Sequence, residues 1–138
     1  MTPLLSVEHL RVAYADRSVD RSVERSGERQ AVADLSFSVE PGEIVALVGE
    51  SGSGKTATAL AIMGILSGNA RVGPGSAVRF EGRDLLTLPE RDLRDLRGRR
   101  ISMVFQEPAA ALNPVMRVGD QVAEVALVHG ERSKARAR

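Results

Sequence analysis

Residues 49–56 read Gly49-Glu50-Ser51-Gly52-Ser53-Gly54-Lys55-Thr56, which fits G-x-x-x-x-G-K-[ST] at every fixed position. Each fixed type answers a need of phosphate chemistry. The glycines let the backbone curl so that successive N–H groups, from about Gly52 to Thr56, line a nest around a β-phosphate. A helix starting there adds its positive dipole end. Lys55 reaches β- and γ-phosphates as a mobile point charge, and the Thr56 hydroxyl is a hard oxygen ligand suited to Mg²⁺. The octapeptide Gly49, Glu50, Ser51, Gly52, Ser53, Gly54, Lys55 and Thr56 is therefore expected to bind the phosphates of a nucleoside triphosphate, ATP with Mg²⁺. Most basic residues are Arg, and the only lysines are Lys55 and Lys134, so a lysine inside the motif is not compositional noise. Thr58 is expected to cap or pack rather than to ligate.

The elements around the motif supply the context it requires. Ile44 to Val48 reads as a short buried strand after a Pro41-Gly42 turn, and Thr56 to Leu66 as a helix packed on it. Upstream, Leu4 to Tyr14 reads as a strand and Val32 to Val39 as its antiparallel neighbour. Between them Arg17 to Arg29 repeats Arg-Ser every four residues with alternating charge, which reads as a flexible, charge-balanced loop across 15–30. Downstream, Ala77 to Phe80 is expected to be a strand ending at a Glu81-Gly82 turn, Pro89 to Arg97 a charged surface helix, and Ile101 to Phe105 a second buried strand. From Val118 the residues Val122, Val125 and His129 continue at helical spacing, and 131–138 is a basic tail. That last helix presents an apolar stripe with little following sequence to cover it.

Composition bounds the rest. A chain of 138 residues with 43% hydrophobic positions suits one domain or part of one. Nineteen basic against 18 acidic side chains leave a net charge of +1, so no global field favours nucleic acid or anionic lipid as a partner. There is no cysteine, which excludes a disulfide framework and thiolate metal sites and gives no argument for an oxidising compartment. Met1 to Leu10 lacks the pattern of a secretion signal, and no apolar run approaches the roughly 20 residues of a membrane span. A cytoplasmic location is expected, with any membrane association made through a partner. Neither Asn69 nor Asn113 is followed by Lys, so nothing looks like the Asn-Lys-x-Asp element by which GTPases read guanine.

The order Tyr14, Pro41-Gly42-Glu43, Gly49 to Thr56, and Val104-Phe105-Gln106-Glu107-Pro108 resembles the nucleotide-binding subunits of ABC transporters. The stretch Leu112-Asn113-Pro114-Val115-Met116-Arg117-Val118-Gly119 looks like their dipeptide, oligopeptide and nickel import group. The resemblance implies an α/β fold, a P-loop NTPase core with an N-terminal antiparallel β portion, and implies that residues 1–138 are the N-terminal part of one such domain, truncated before its helical subdomain. It also implies that Gln106 contacts Mg²⁺ and the attacking water and relays nucleotide occupancy, a double duty its amide can perform. Tyr14 would stack on adenine. The implied partners are membrane-spanning permease subunits, a second ATP-binding subunit and, indirectly, an extracytoplasmic solute-binding protein, at the cytoplasmic face of the membrane and with no nucleic acid.

Three parts of the family's pattern have no counterpart: a Leu-Ser-Gly-Gly-Gln segment, an apolar strand ending in Asp-Glu, and a switch histidine. Leu66-Ser67-Gly68 reads as the stop of the first helix, and His9 and His129 stand elsewhere in the order. The catalytic candidates are then Lys55 and Gln106 alone, a clamp and a positioning amide without a general base, so hydrolysis by the chain alone is expected near background. Two other readings remain open: a soluble ABC-type ATPase of translation or DNA repair, and a non-catalytic nucleotide-binding module.

Overall fold

The computed structural model of the chain describes residues 2–15, 27–107 and 112–130. Residues up to Leu88 form one compact unit and those from Pro89 a second.

The first unit is built on an antiparallel sheet. Strand β1 (Leu5–Ala15) lies between β2 (Glu28–Val39) on one edge and two short strands on the other, β3 (Ala70–Val72) against its end and β4 (Ala77–Phe80) against its start. A two-residue strand β5 (Arg83–Asp84) extends the sheet beyond β4. The buried apolar residues of β1 are Val7, Leu10 and Val12. Their spacing breaks the alternation a regular strand needs, and the structure resolves the conflict with a bulge. His9 takes φ 47° and the pairing with β2 shifts register between Val7 and Leu10. Two serines repair the ladder there. Ser36 Oγ accepts the His9 N–H at 2.9 Å, while Ser76 Oγ accepts the Arg11 N–H at 3.1 Å and donates to the His9 carbonyl at 3.0 Å. Backbone groups that the bulge would orphan are thereby satisfied.

Helix α1 (Lys55–Met63) packs against β1 and β2 through Ala57, Thr58 and Ala61. It stops at Gly64, whose left-handed backbone sends its N–H to the Ala61 carbonyl and the Ile65 N–H to the Leu60 carbonyl, 3.1 and 3.0 Å. The expected stop at Leu66-Ser67-Gly68 is thus corrected: Gly64 ends the helix first because it takes up the left-handed cap at no steric cost.

The two buried strands expected at Ile44 to Val48 and Ile101 to Phe105 are also corrected. Residues 43–50 join no ladder, and Ile44 and Val48 are 97% and 89% exposed. Within the second unit Ile101 makes only an isolated parallel bridge to Arg97, and Val104 is 89% exposed. A run of β-branched residues states a preference, and a strand forms only where a neighbour takes its hydrogen bonds. Among the described residues the first segment has none and the second has only that single bridge.

The second unit carries α2 (Glu90–Leu96), buried at Leu93, and α3 (Val118–Val128), buried at Ala123. Arg97 and Arg94 both reach Glu90, at 2.7 and 3.4 Å. Val122 and Val125 lie on the exposed side of α3, so the apolar stripe read from the sequence is uncovered. The His129 imidazole lies against the turn at Gly98, whose φ of 78° favours glycine. Ala15 and residues 28–30, expected in the loop 15–30, belong to β1 and β2 instead, while 16–26 and the expected basic tail 131–138 lie outside the described residues.

Candidate functional site

The loop from Gly49 to Gly54 turns tightly before α1. Gly52 and Gly54 take φ of 80° and 92°, values open to glycine and strained for any other residue. The Ser53 N–H donates to the Glu50 carbonyl at 3.2 Å and closes the turn. That amide is therefore spent within the loop, which corrects the expectation that every N–H from Gly52 to Thr56 points into the nest. The first helical bond runs from Thr58 N–H to the Gly54 carbonyl, 2.8 Å. Lys55, Thr56 and Ala57 supply the orphan amides of the helix start. No side chain caps this end, and its first turn holds no acidic residue that would compete with an anion.

Lys55 folds back over the loop. Its ammonium donates to the carbonyls of Gly49 and Glu50, each at 2.7 Å, and to Ser53 Oγ at 3.3 Å. These partners keep the charge on the loop itself. A phosphate oxygen would replace neutral carbonyl acceptors with an anionic one, a stronger bond of the same geometry. Thr56 is exposed and lines a cleft of about 210 Å³ with Ala31 and the Gly52–Ala57 segment. Thr58, as expected, turns inward: it is 2% exposed and its hydroxyl donates to the Gly54 carbonyl at 3.0 Å.

Strand β2 forms the opposite wall, which no local feature of residues 28–39 announces. Gln30 to Leu35, together with Leu47, Val48, Ser53, Lys55 and Thr58, line a second cleft of about 380 Å³. The approach is tightest at Ala31, whose carbonyl occupies the space a β-carbon on Gly54 would need. Asp34, on the same wall, accepts from Arg11 Nη2 at 3.1 Å and lies 3.2 Å from His9 Nδ1. The Arg11 guanidinium, with His9 beside it, lowers the Asp34 carboxyl below its usual value.

Tyr14 is half-buried on β1, opposite Arg29 of β2 and Ala70 of β3, and lines neither cleft. Gln106 belongs to the second unit, where it is exposed at the end of the extended segment after Phe105. Among the described residues no group of three or more His, Cys, Asp or Glu side chains could hold a metal ion. The exposed Thr56 hydroxyl is an oxygen donor of the kind that hard divalent cations take.

A glycine-rich turn opening α1, with a lysine folded over it and an antiparallel sheet alongside, defines a P-loop nucleotide-binding fold. Residues 32–138 match the ABC transporter family, and the chain belongs to it. An oligopeptide transport ATP-binding protein of Escherichia coli is 49% identical over 136 residues, which are 97% of this chain and 37% of that protein. A peptidoglycan transport ATP-binding protein of Agrobacterium fabrum is 44% identical over 99% of this chain and 23% of its own length. An oligopeptide transport ATP-binding protein of Bacillus subtilis is 45% identical over 78% of the chain and 33% of its own length. The chain therefore spans about a third or less of the curated relatives it matches.

Proposed function

We propose that this chain is the ATP-binding portion of an ABC transporter subunit that energises import of peptides or a related solute. The observation that carries the reading is the Lys55 ammonium, held 2.7 Å from the Gly49 and Glu50 carbonyls of the glycine-rich loop that opens α1. On this reading Gly49 to Thr56 clamps the triphosphate of ATP, Lys55 moves from carbonyl to phosphate oxygens, and Thr56 holds Mg²⁺. Tyr14 stacks on adenine, and Gln106 orients the attacking water and completes the metal's shell. Residues 1–138 act as one part of a nucleotide-binding domain.

The family supports the coarser statements: ATP as ligand, hydrolysis coupled to transport and a place beside membrane subunits. Among the described residues no helix is long and apolar enough to cross a membrane, so the proposed position at the cytoplasmic face depends on permease subunits and on a second ATP-binding subunit. An extracytoplasmic protein would deliver the solute. Lys55 and Gln106 clamp and orient but offer no general base, so we expect phosphate release by the chain alone to stay near background.

Equilibrium binding of fluorescent ATP with Mg²⁺ to the native chain and to Lys55→Ala, with phosphate release followed in the same samples, tests this. Binding lost in the variant with no release from either is the expected result. Robust Lys55-dependent release would overturn the claim of an incomplete enzyme, and no binding by the native chain would overturn the assignment of the site.

A further inference from the structure

A lysine ammonium carries three donors, and in Lys55 each has an acceptor. Two bonds are short, 2.7 Å to each of the Gly49 and Glu50 carbonyls, and the third reaches Ser53 Oγ at 3.3 Å. Ser53 is tied to the same cluster through its backbone, since its N–H donates to the Glu50 carbonyl at 3.2 Å. Gly49 leaves room for the arrangement: a β-carbon there would come within 2.6 Å of Ser53 Oγ. The three bonds are unequal. The carbonyl bonds have the length of charge-assisted hydrogen bonds, whereas 3.3 Å lies just past the usual range for a nitrogen donor to oxygen. The carbonyls are also fixed in the backbone, while Ser53 is exposed and its side chain can rotate. Ser53 and Lys55 together line both clefts beside the loop, so an anion entering either one meets this pair.

We infer that the Ser53 hydroxyl is a placeholder for a phosphate oxygen: it occupies the third donor of Lys55 in the empty site and is the first partner given up when a triphosphate binds. Ser53 is thus a positioning residue, which acts on phosphate through Lys55 and sets the affinity of the loop by stabilising its unliganded form. The inference rests on the proposed function for the identity of the displacing group, and on the bond lengths for the order of exchange. Position 53 is a variable place in G-x-x-x-x-G-K-[ST], so the motif does not single it out. The consequence runs against the usual effect of removing a polar group from a binding site, because here the truncation should tighten binding.

Ser53→Ala frees the third donor, and Ser53→Thr keeps the hydroxyl. Titration calorimetry with inorganic triphosphate, which carries neither base nor ribose, should show affinity about threefold higher in Ser53→Ala, near the low end for one hydrogen bond. Ser53→Thr should keep the native affinity. Stopped-flow mixing with fluorescent ATP should place the gain in faster association, since the hydroxyl contact exists only in the empty site. Lys55 and Lys134 are the only lysines, so lysine-selective isotope labelling follows the contact directly by NMR. In the ligand-free chain the Lys55 ammonium protons should exchange with water faster in Ser53→Ala than in the native chain or Ser53→Thr.

Weaker triphosphate binding by Ser53→Ala at native melting temperature would show that the hydroxyl contacts phosphate in the bound state, and would overturn the placeholder. Unchanged affinity, native ammonium exchange, or a gain carried by slower dissociation would overturn it too. So would collapse of the fold in that variant, because the hydroxyl would then hold the loop rather than the lysine. Each of these outcomes leaves the triphosphate site standing. Failure of the native chain to bind either triphosphate or ATP would instead remove the site, and the placeholder with it.

Discussion

No β-carbon fits on Gly54, because the carbonyl oxygen of Ala31 stands where it would go, with Val32 Cγ2 just behind at 3.1 Å. A backbone group of β2 thus fixes the last glycine before Lys55, and the start of α1 is set by a strand more than twenty residues upstream. The phosphate loop is shaped by tertiary packing as well as by its own sequence.

Substituting Gly54→Ala should therefore damage both stability and binding. The new methyl meets backbone rather than a side chain that could swing away, and φ 92° strains any L-residue. We expect a loss of about 2–4 kcal/mol, read by urea denaturation, with ATP binding abolished. A variant of native stability that binds ATP normally would show that β2 and the loop are not in this contact.

Gly64→Ala probes the opposite end of the same helix. It puts a β-carbon at φ 64°, on the residue whose N–H closes the C-terminal cap on Ala61. The cost should be about 1 kcal/mol, with Mg²⁺-ATP affinity unchanged because the amides proposed to hold the phosphates precede or open α1. Paired denaturation and nucleotide titrations check the split, and loss of affinity at native stability would contradict it.

These two glycines show how unevenly the sequence could be read. The octapeptide from Gly49 to Thr56 was legible because phosphate chemistry dictates both residue types and spacing. The inward turn of Thr58 was legible too. The stop of α1 was misplaced by a few residues, since Gly64 and Gly68 offer the same signal and only the backbone chooses between them. The bulge at His9 was written in the spacing of Val7, Leu10 and Val12, three buried residues that a regular strand cannot place on one face. The wall formed by Gln30 to Leu35 could not be read, because nothing local to β2 refers to a loop beginning at Gly49. At Ile44 to Val48 and Ile101 to Phe105 the composition suggested buried strands that do not form, because pairing is a property of neighbours that composition does not supply.

Acid sensitivity should follow from three ion-paired carboxylates. Hydrogen bonding from Arg11 to Asp34, from Arg79 to Glu8 and from Arg97 to Glu90 lowers each pKa from its usual value. A depressed folded-state pKa contributes stability that is present above the unfolded carboxylate value, near 4, and lost as pH falls through the lower folded value. Because all three are surface groups, screening by salt keeps the effect small. A melting series from neutral to strongly acidic pH should show a decline confined to the acid side. Arg11→Met should raise the Asp34 pKa toward its ordinary value by carboxyl-resolved NMR titration. An unmoved Asp34 in that variant would contradict the pairing.

The segment Ile44 to Val48 makes the most counter-intuitive prediction. Three β-branched residues, Ile44, Val45 and Val48, stand outside any ladder among the described residues, with Ile44 97% exposed. Unpaired apolar backbone of this kind is a template for pairing with another chain. Ile44→Lys should consequently leave the melting temperature of the chain within a degree or two, since a surface substitution away from the core costs little, while reducing concentration-dependent self-association measured by light scattering. Ile44 occupies the segment's start, distant in sequence from the orphan amides of Lys55 to Ala57, so ATP affinity should hold. A fall of many degrees in melting temperature would mean that Ile44 is buried in solution, and that the segment has found in the chain the partner strand its composition calls for.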